Sequence, residues 1–192
     1  MVGLTQPTYA ARTKKPNVLF IILDDMNNDL VFLDGQPKAQ TPNLQRLAER
    51  SHLFTRAYCA APACNPTRAA VLSGVPPHVS GVYGNPDELI KSKPLGACTY
   101  LPEHFRNEGY WTMWAGKTFH KKPSEMRLSK LWNNMEFRDG GYGPNVQKGK
   151  GELLLKAWGN SQKWTGPDSD FPDVRNTDGV IEQLEKSREE PF

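Results

Sequence analysis

The clearest pattern along the chain is Val18-Leu19-Phe20-Ile21-Ile22-Leu23, a continuous apolar run closed by Asp24-Asp25. A run of this length with no polar alternation predicts a strand buried on both faces of a parallel sheet. Leu44, Leu47 and Ala48 then recur at helical spacing behind Thr41-Pro42-Asn43, which predicts a helix with Thr41 as its cap and proline in its first position. Ser51 to Tyr58 predicts the next strand, and Cys59-Ala60-Ala61-Pro62-Ala63 turns the chain toward a helix that starts around Cys64 and ends before Gly74. Beyond it, Pro76-Pro77-His78 and Ser80 to Gly84 predict an irregular loop. Leu101 and Phe105 predict a short helix that Gly109 can end, followed by a strand over Tyr110 to Trp114. A last helix is predicted from Thr177-Asp178, carrying Val180, Ile181 and Leu184.

The composition narrows the classes. The chain has 192 residues, 38% of them hydrophobic, which is enough for a real core. Its net charge is only +3, with Lys and Arg interleaved with Asp and Glu, a solvated surface rather than a nucleic-acid-binding face. No apolar run approaches the length of a membrane span, and Met1 to Lys15 lacks the apolar core of a signal peptide, so the sequence points to no compartment. Cys59, Cys64 and Cys98 are odd in number and lack metal-pair spacing, which predicts neither a disulfide framework nor a zinc site.

Two places carry candidate chemistry. Two adjacent carboxylates, Asp24 and Asp25, at the end of a central strand repel each other unless something positive neutralises them, and a hard divalent cation is the economical answer. An acidic turn after a strand would leave the same pattern. In Cys64-Asn65-Pro66-Thr67-Arg68 a thiol sits at a loop-to-helix junction, with Arg68 one turn beyond it as a permanent planar cation. Free N–H groups at that helix start would face an anion. The same Cys could be a small buried apolar residue. A cysteine-phosphatase loop would put Arg six positions after the Cys, and that position is Ala70.

The pattern C-x-P-x-R, with Gly74 six residues beyond Arg68, resembles the type I sulfatases, in which another enzyme oxidises this Cys to formylglycine. Ser73 stands where the family usually has Thr or Leu. N-V-L-F-I-I-L-D-D resembles the family's first strand, and T-P-N-L-Q-R-L-A followed by F-T-R-A-Y-C-A-A-P-A-C resembles its connection to the modified Cys. Gly116-Lys117-Thr118-Phe119-His120 occupies the place of the sulfatase G-K element, and its K-x-x-H spacing resembles the iduronate-2-sulfatase branch. The resemblance implies an alkaline-phosphatase-like α/β fold with a mostly parallel central sheet flanked by helices. It further implies a calcium ion held by Asp24, Asp25 and the residue at 64, and a catalytic set of Cys64, Arg68, Lys117 and His120. The implied partners are a formylglycine-generating enzyme and a sulfated small molecule or carbohydrate.

Cys59 is expected to be a packed neighbour, and His78 a hydrogen-bonded structural histidine. Residues 1–15 are expected to form a tail and 16–192 the N-terminal part of a sulfatase catalytic domain, with 121–173 as an insertion or loop region. Trp132, Trp158 and Trp164 within it could stack on sugars or fill a core. No Asp-Asn or Asp-His pair follows His120, where the family has further metal ligands, so the chain is expected to be a truncated sulfatase that does not turn over a sulfate ester alone. The other readings are a phosphodiester or phosphonate hydrolase of the same superfamily, and a non-catalytic binding module.

Overall fold

A computed structural model describes residues 15–24, 26, 40–120, 131–136 and 166–192. The chain divides into two compact units, one of Ile21–Leu101 with Thr118–Ser129, the other of Met1–Phe20, Pro102–Lys117 and Lys130–Phe192.

The first of these is helical where it is described. Helix α1 (Pro42–Glu49) has proline in its first turn, and Thr41 stands at the cap position without a side-chain cap bond. Its apolar positions are only partly covered: Leu44 and Ala48 are half-buried and Leu47 is exposed. Helix α2 (Cys64–Ser73) is stopped by Gly74 at φ 71°, whose N–H donates to the Ala70 carbonyl at 2.8 Å; glycine takes that left-handed conformation without a Cβ clash. One face of α2 is buried through Asn65, Pro66, Arg68, Ala69 and Leu72. The predicted loop after it contains a helical turn, α3 (Pro77–Ser80), started by Pro77 and ended by Gly81. Helix α4 (Lys93–Ala97) is capped by Ser92, whose hydroxyl accepts from the Leu95 N–H at 3.4 Å and donates to the Ser80 carbonyl at 2.6 Å, tying α4 to the end of α3. Ala69, Leu72, Val82, Leu89, Leu95, Tyr100 and Phe119 form the buried core. Each large side chain fully buried there contributes about 1.5–3 kcal/mol.

The other unit holds helix α5 (Leu101–Asn107) beyond its first residue, strands β1 (Met113–Ala115) and β2 (Asn134–Glu136), and helix α6 (Pro172–Leu184). The strands are parallel, with Met113 opposite Asn134, Trp114 opposite Met135 and Ala115 opposite Glu136. Thr112 and Asn133 start the pair: the Thr112 N–H donates to Asn133 Oδ1 and the Asn133 N–H to the Thr112 carbonyl, both at 2.9 Å. Trp114 and Trp132 stack with ring centroids 6.1 Å apart, so Trp132 serves packing; Trp158 and Trp164 lie outside the described residues. Helix α6 packs on both strands and begins at Pro172, earlier than predicted. Thr177 is not its cap; its hydroxyl donates to the Asp173 carbonyl within the helix at 2.7 Å. The buried positions are Pro172, Asn176, Gly179 and Gln183, whereas Ile181 is exposed, so small and amide side chains face the sheet where aliphatic ones were expected. The reason is close approach: Gly116, at φ 65°, would bring a Cβ to 3.2 Å from Asn176 Nδ2.

Two predicted strands differ. Ser51 to Tyr58 has no strand structure and is exposed. Val18–Leu23 has no strand structure, and its exposures run from 39% to 65%. Burial on both faces requires ladder partners and covering layers. Among the described residues the run's one backbone bond to another segment is from the Val18 N–H to the Phe192 carbonyl, at 2.5 Å. Among those residues the only sheet is the two-stranded one, and no helix is long and apolar enough to cross a membrane.

Candidate active site

Cys64 is the first residue of α2 and is half-buried. It sits between two latches that hydrogen bonding in a short polar turn supplies. Ahead of it, the Thr67 hydroxyl donates to the Ala61 carbonyl and accepts from the Ala61 N–H at 3.1 Å, fixing the segment that enters the helix. Behind it, Asn65 is bonded to the turn over Gly84 to Asp87. Pro66 is fully buried in the first turn, where its missing N–H leaves no donor unpaired.

Arg68 lies on the buried face of α2 with only 6% of its side chain exposed. Its Nη2 meets Asp24 Oδ1 at 2.7 Å, a short charge-assisted contact, and its Nη1 donates to the Thr118 carbonyl at 3.3 Å. A guanidinium withdrawn this far from water needs such acceptors, because an uncompensated buried charge costs several kcal/mol or about that. The one fork thus joins the carboxylate that ends the apolar run to the backbone two residues before His120. Phe119 anchors that backbone: it is buried and meets Tyr100 edge to face at 6.0 Å. His120 follows half-buried, with Nδ1 out of contact with solvent.

The structure therefore brings Asp24, Arg68 and the segment leading to His120 together around the helix that starts at Cys64. Lys117 is exposed and belongs to the other unit. Asp25 lies outside the described residues. Asp24 is a hard carboxylate donor of the type calcium takes, with its Oδ1 already bonded to Arg68. Among the described residues no three of His, Cys, Asp or Glu cluster as a ready cage.

Two expectations are corrected. Among the described residues Cys59 is exposed and is not a packed neighbour. His78 is exposed on α3, whose buried positions are Pro77 and Ser80. Sequence reasoning also missed Asn65, Thr67, Asn85 and Asp87 as supports of Cys64. The signal available was Gly84-Asn85-Pro86-Asp87, a turn-forming string whose side chains could bond backbone; its partner twenty residues earlier was not readable.

Comparison with known proteins places the chain. The sequence model of the Sulfatase family matches residues 16–192. A sulfatase of Formosa agariphila is 34% identical over 93% of this chain and 37% of its own length. The choline-sulfatase of Rhizobium meliloti is 35% identical over 71% of this chain and 26% of its own. Human iduronate 2-sulfatase is 29% identical over 97% of this chain and 35% of its own. The chain thus spans about a third of the length of these curated relatives. With nearly all of its residues matched by one family, the chain belongs to the sulfatase family, whose fold is the alkaline-phosphatase-like α/β fold.

Proposed function

We propose that this chain carries the nucleophile-bearing part of a sulfatase site that hydrolyses sulfate esters, with sulfated carbohydrates as the substrate class. The observation that carries the reading is Cys64-Asn65-Pro66-Thr67-Arg68 at the start of α2, with Arg68 buried against Asp24. The names of the relatives support sulfate-ester chemistry in general. In this reading Cys64 is converted to formylglycine, whose hydrated aldehyde supplies two hydroxyls on one carbon, one to attack sulfur and one to let sulfate be expelled afterwards. Serine could not perform the second role. Calcium held by Asp24, Asp25 and the group at 64 would supply Lewis-acid stabilisation of negative charge.

The chain's own residues perform the rest. Arg68, fixed by Asp24 and the Thr118 carbonyl, presents a permanent cation at the base of the site and holds the group at 64 in one orientation. Lys117 binds the sulfate oxygens as a point charge, which suits its exposure. His120, on backbone anchored by Phe119, takes the proton that must leave the second hydroxyl when sulfate departs. The family's α/β fold implies a mostly parallel central sheet flanked by helices, and β1 and β2 would be one of its parallel pairs.

Co-expression with a formylglycine-generating enzyme, followed by mass mapping of tryptic peptides, tests the reading. The Cys64 peptide is expected to lose its alkylatable thiol, while Cys59 and Cys98 keep theirs. A fully alkylatable Cys64, under conditions that convert a control sulfatase, would overturn it.

A further inference from the structure

The residue that follows Cys64 is one of the most deeply buried in the molecule. Asn65 is 1% exposed; its backbone N–H and its side-chain Nδ2 are used on a distant turn, while its Oδ1 is buried without a partner among the described residues. Its backbone N–H, one of the helix-start donors that has no partner within a helix, donates to Asn85 Oδ1 at 2.9 Å. Its Nδ2 donates to the carbonyls of Gly84 at 3.0 Å and Asp87 at 2.9 Å. The receiving turn is itself closed, because Asp87 Oδ2 accepts from the N–H groups of Tyr83 and Gly84, both at 2.8 Å. A buried amide is costly unless bonded, so this arrangement ties the first turn of α2 to residues 83–87. Thr67 ties the incoming side to Ala61. The backbone is therefore fastened on both sides of Cys64.

We infer that Asn65, together with Asn85, is a positioning residue that fixes the backbone at Cys64 and so the direction in which the group at 64 projects. The inference rests on the reading of Cys64 as the reactive position. The C-x-P-x-R pattern leaves position 65 open, so the pattern's Cys, Pro and Arg mark the residue for chemistry while Asn65 aims it. Aim matters because a misplacement of about 1 Å at a reacting group can cost on the order of 100-fold in rate.

The test uses the complete, unmodified chain. Iodoacetamide alkylation of Cys64 is timed against Cys98 in the same molecule, and amide hydrogen exchange is read residue by residue. Asn85 is exposed, so Asn85→Ala removes the acceptor with little loss of packing. Loss of one such bond is expected to speed exchange at the Asn65 amide about fivefold, with Leu72 and Ser73 unchanged. The alkylation rate of Cys64 relative to Cys98 is expected to shift about threefold or more. Asn85→Asp, which keeps an acceptor oxygen, should return the exchange rate of the Asn65 amide to its starting value, and Asn65→Ser, which removes the two Nδ2 bonds to Gly84 and Asp87, should shift the Cys64 alkylation ratio in the same direction as Asn85→Ala. An unchanged ratio, a change shared equally by Cys98 and the Leu72 amide, or no recovery in Asn85→Asp would each overturn the inference. Conversion of Cys64 to formylglycine is scored separately. Failure of conversion with the expected thiol and amide behaviour sinks the sulfatase reading alone, and conversion with flat thiol and amide behaviour sinks the positioning role alone.

Discussion

Helix α2 and the run Val18–Leu23 are the two strongest hydrophobic and motif signals in the chain, yet one is enclosed and the other lies open. α2 is defined by what lies within about ten residues: a proline in its first turn, a row of good helix formers, and Gly74 in the left-handed conformation at its end. The next short segments, which carry the buried Val82, Leu89 and Leu95, follow within about twenty residues, and Asn65 bonds to the turn over Gly84 to Asp87. Val18–Leu23 is the more hydrophobic of the two but has no local device that satisfies its backbone, and among the described residues its backbone partner outside the run is the carbonyl of Phe192. Local signals thus close a structure by themselves, whereas an apolar strand is only as buried as the distant segments that reach it.

The largest test of this contrast is a pair of truncations. Leu95→Ala, at 2% exposure, is expected to cost about 2–5 kcal/mol, while Ile21→Ala, at 65%, should change stability by less than about 0.5 kcal/mol. Thermal or urea unfolding of the two variants compares them directly; equal losses would break the distinction between enclosed and open regions. Next in size is Arg68→Lys, which keeps the charge but loses the fork that reaches both Asp24 and Thr118, with an expected loss of about 1.5–3 kcal/mol in the same unfolding experiment. Retained stability would show that one bond suffices.

Two glycine replacements sharpen the role of local geometry and should differ in sign. Gly116→Ala meets both a positive φ and Asn176 Nδ2 at 3.2 Å, and is expected to destabilise by about 1–2 kcal/mol. Gly96→Ala, inside α4 with nothing within 4 Å of the new Cβ, should stabilise by about 0.4–1 kcal/mol. Melting temperatures that move in the same direction would contradict the assignment of strain to Gly116.

The same division explains what could be read from the residues alone. Pro66 and Gly74 bracket α2 almost as predicted, and Pro42 and Gly109 mark a helix start and a helix end. The parallel pairing of β1 was hidden because its partner, Asn134–Glu136, lies in a stretch rich in Gly, Pro and Lys with little periodicity. The start of α6 was misplaced because Thr177 resembles a cap, whereas Pro172 performs the entry. At the candidate site, Cys64 and Arg68 were legible from their spacing. Their supports were not, because a bond from Asn65 to Asn85 crosses twenty residues and leaves no periodic trace.

The central claim is the proposal that Asp24, Arg68 and the group at 64 serve one site, in which Asp24 would bind a cation as well as Arg68. Calorimetric titration of calcium into the chain with Cys64 converted tests it most directly. In the proposed site Asp24, Asp25 and the residue at 64 would supply only part of the six to eight oxygens calcium takes, so a weak Kd on the order of 10⁻⁴–10⁻³ M is predicted, lost in Asp24→Ala. Submicromolar binding that survives both Asp24→Ala and Asp25→Ala would contradict it.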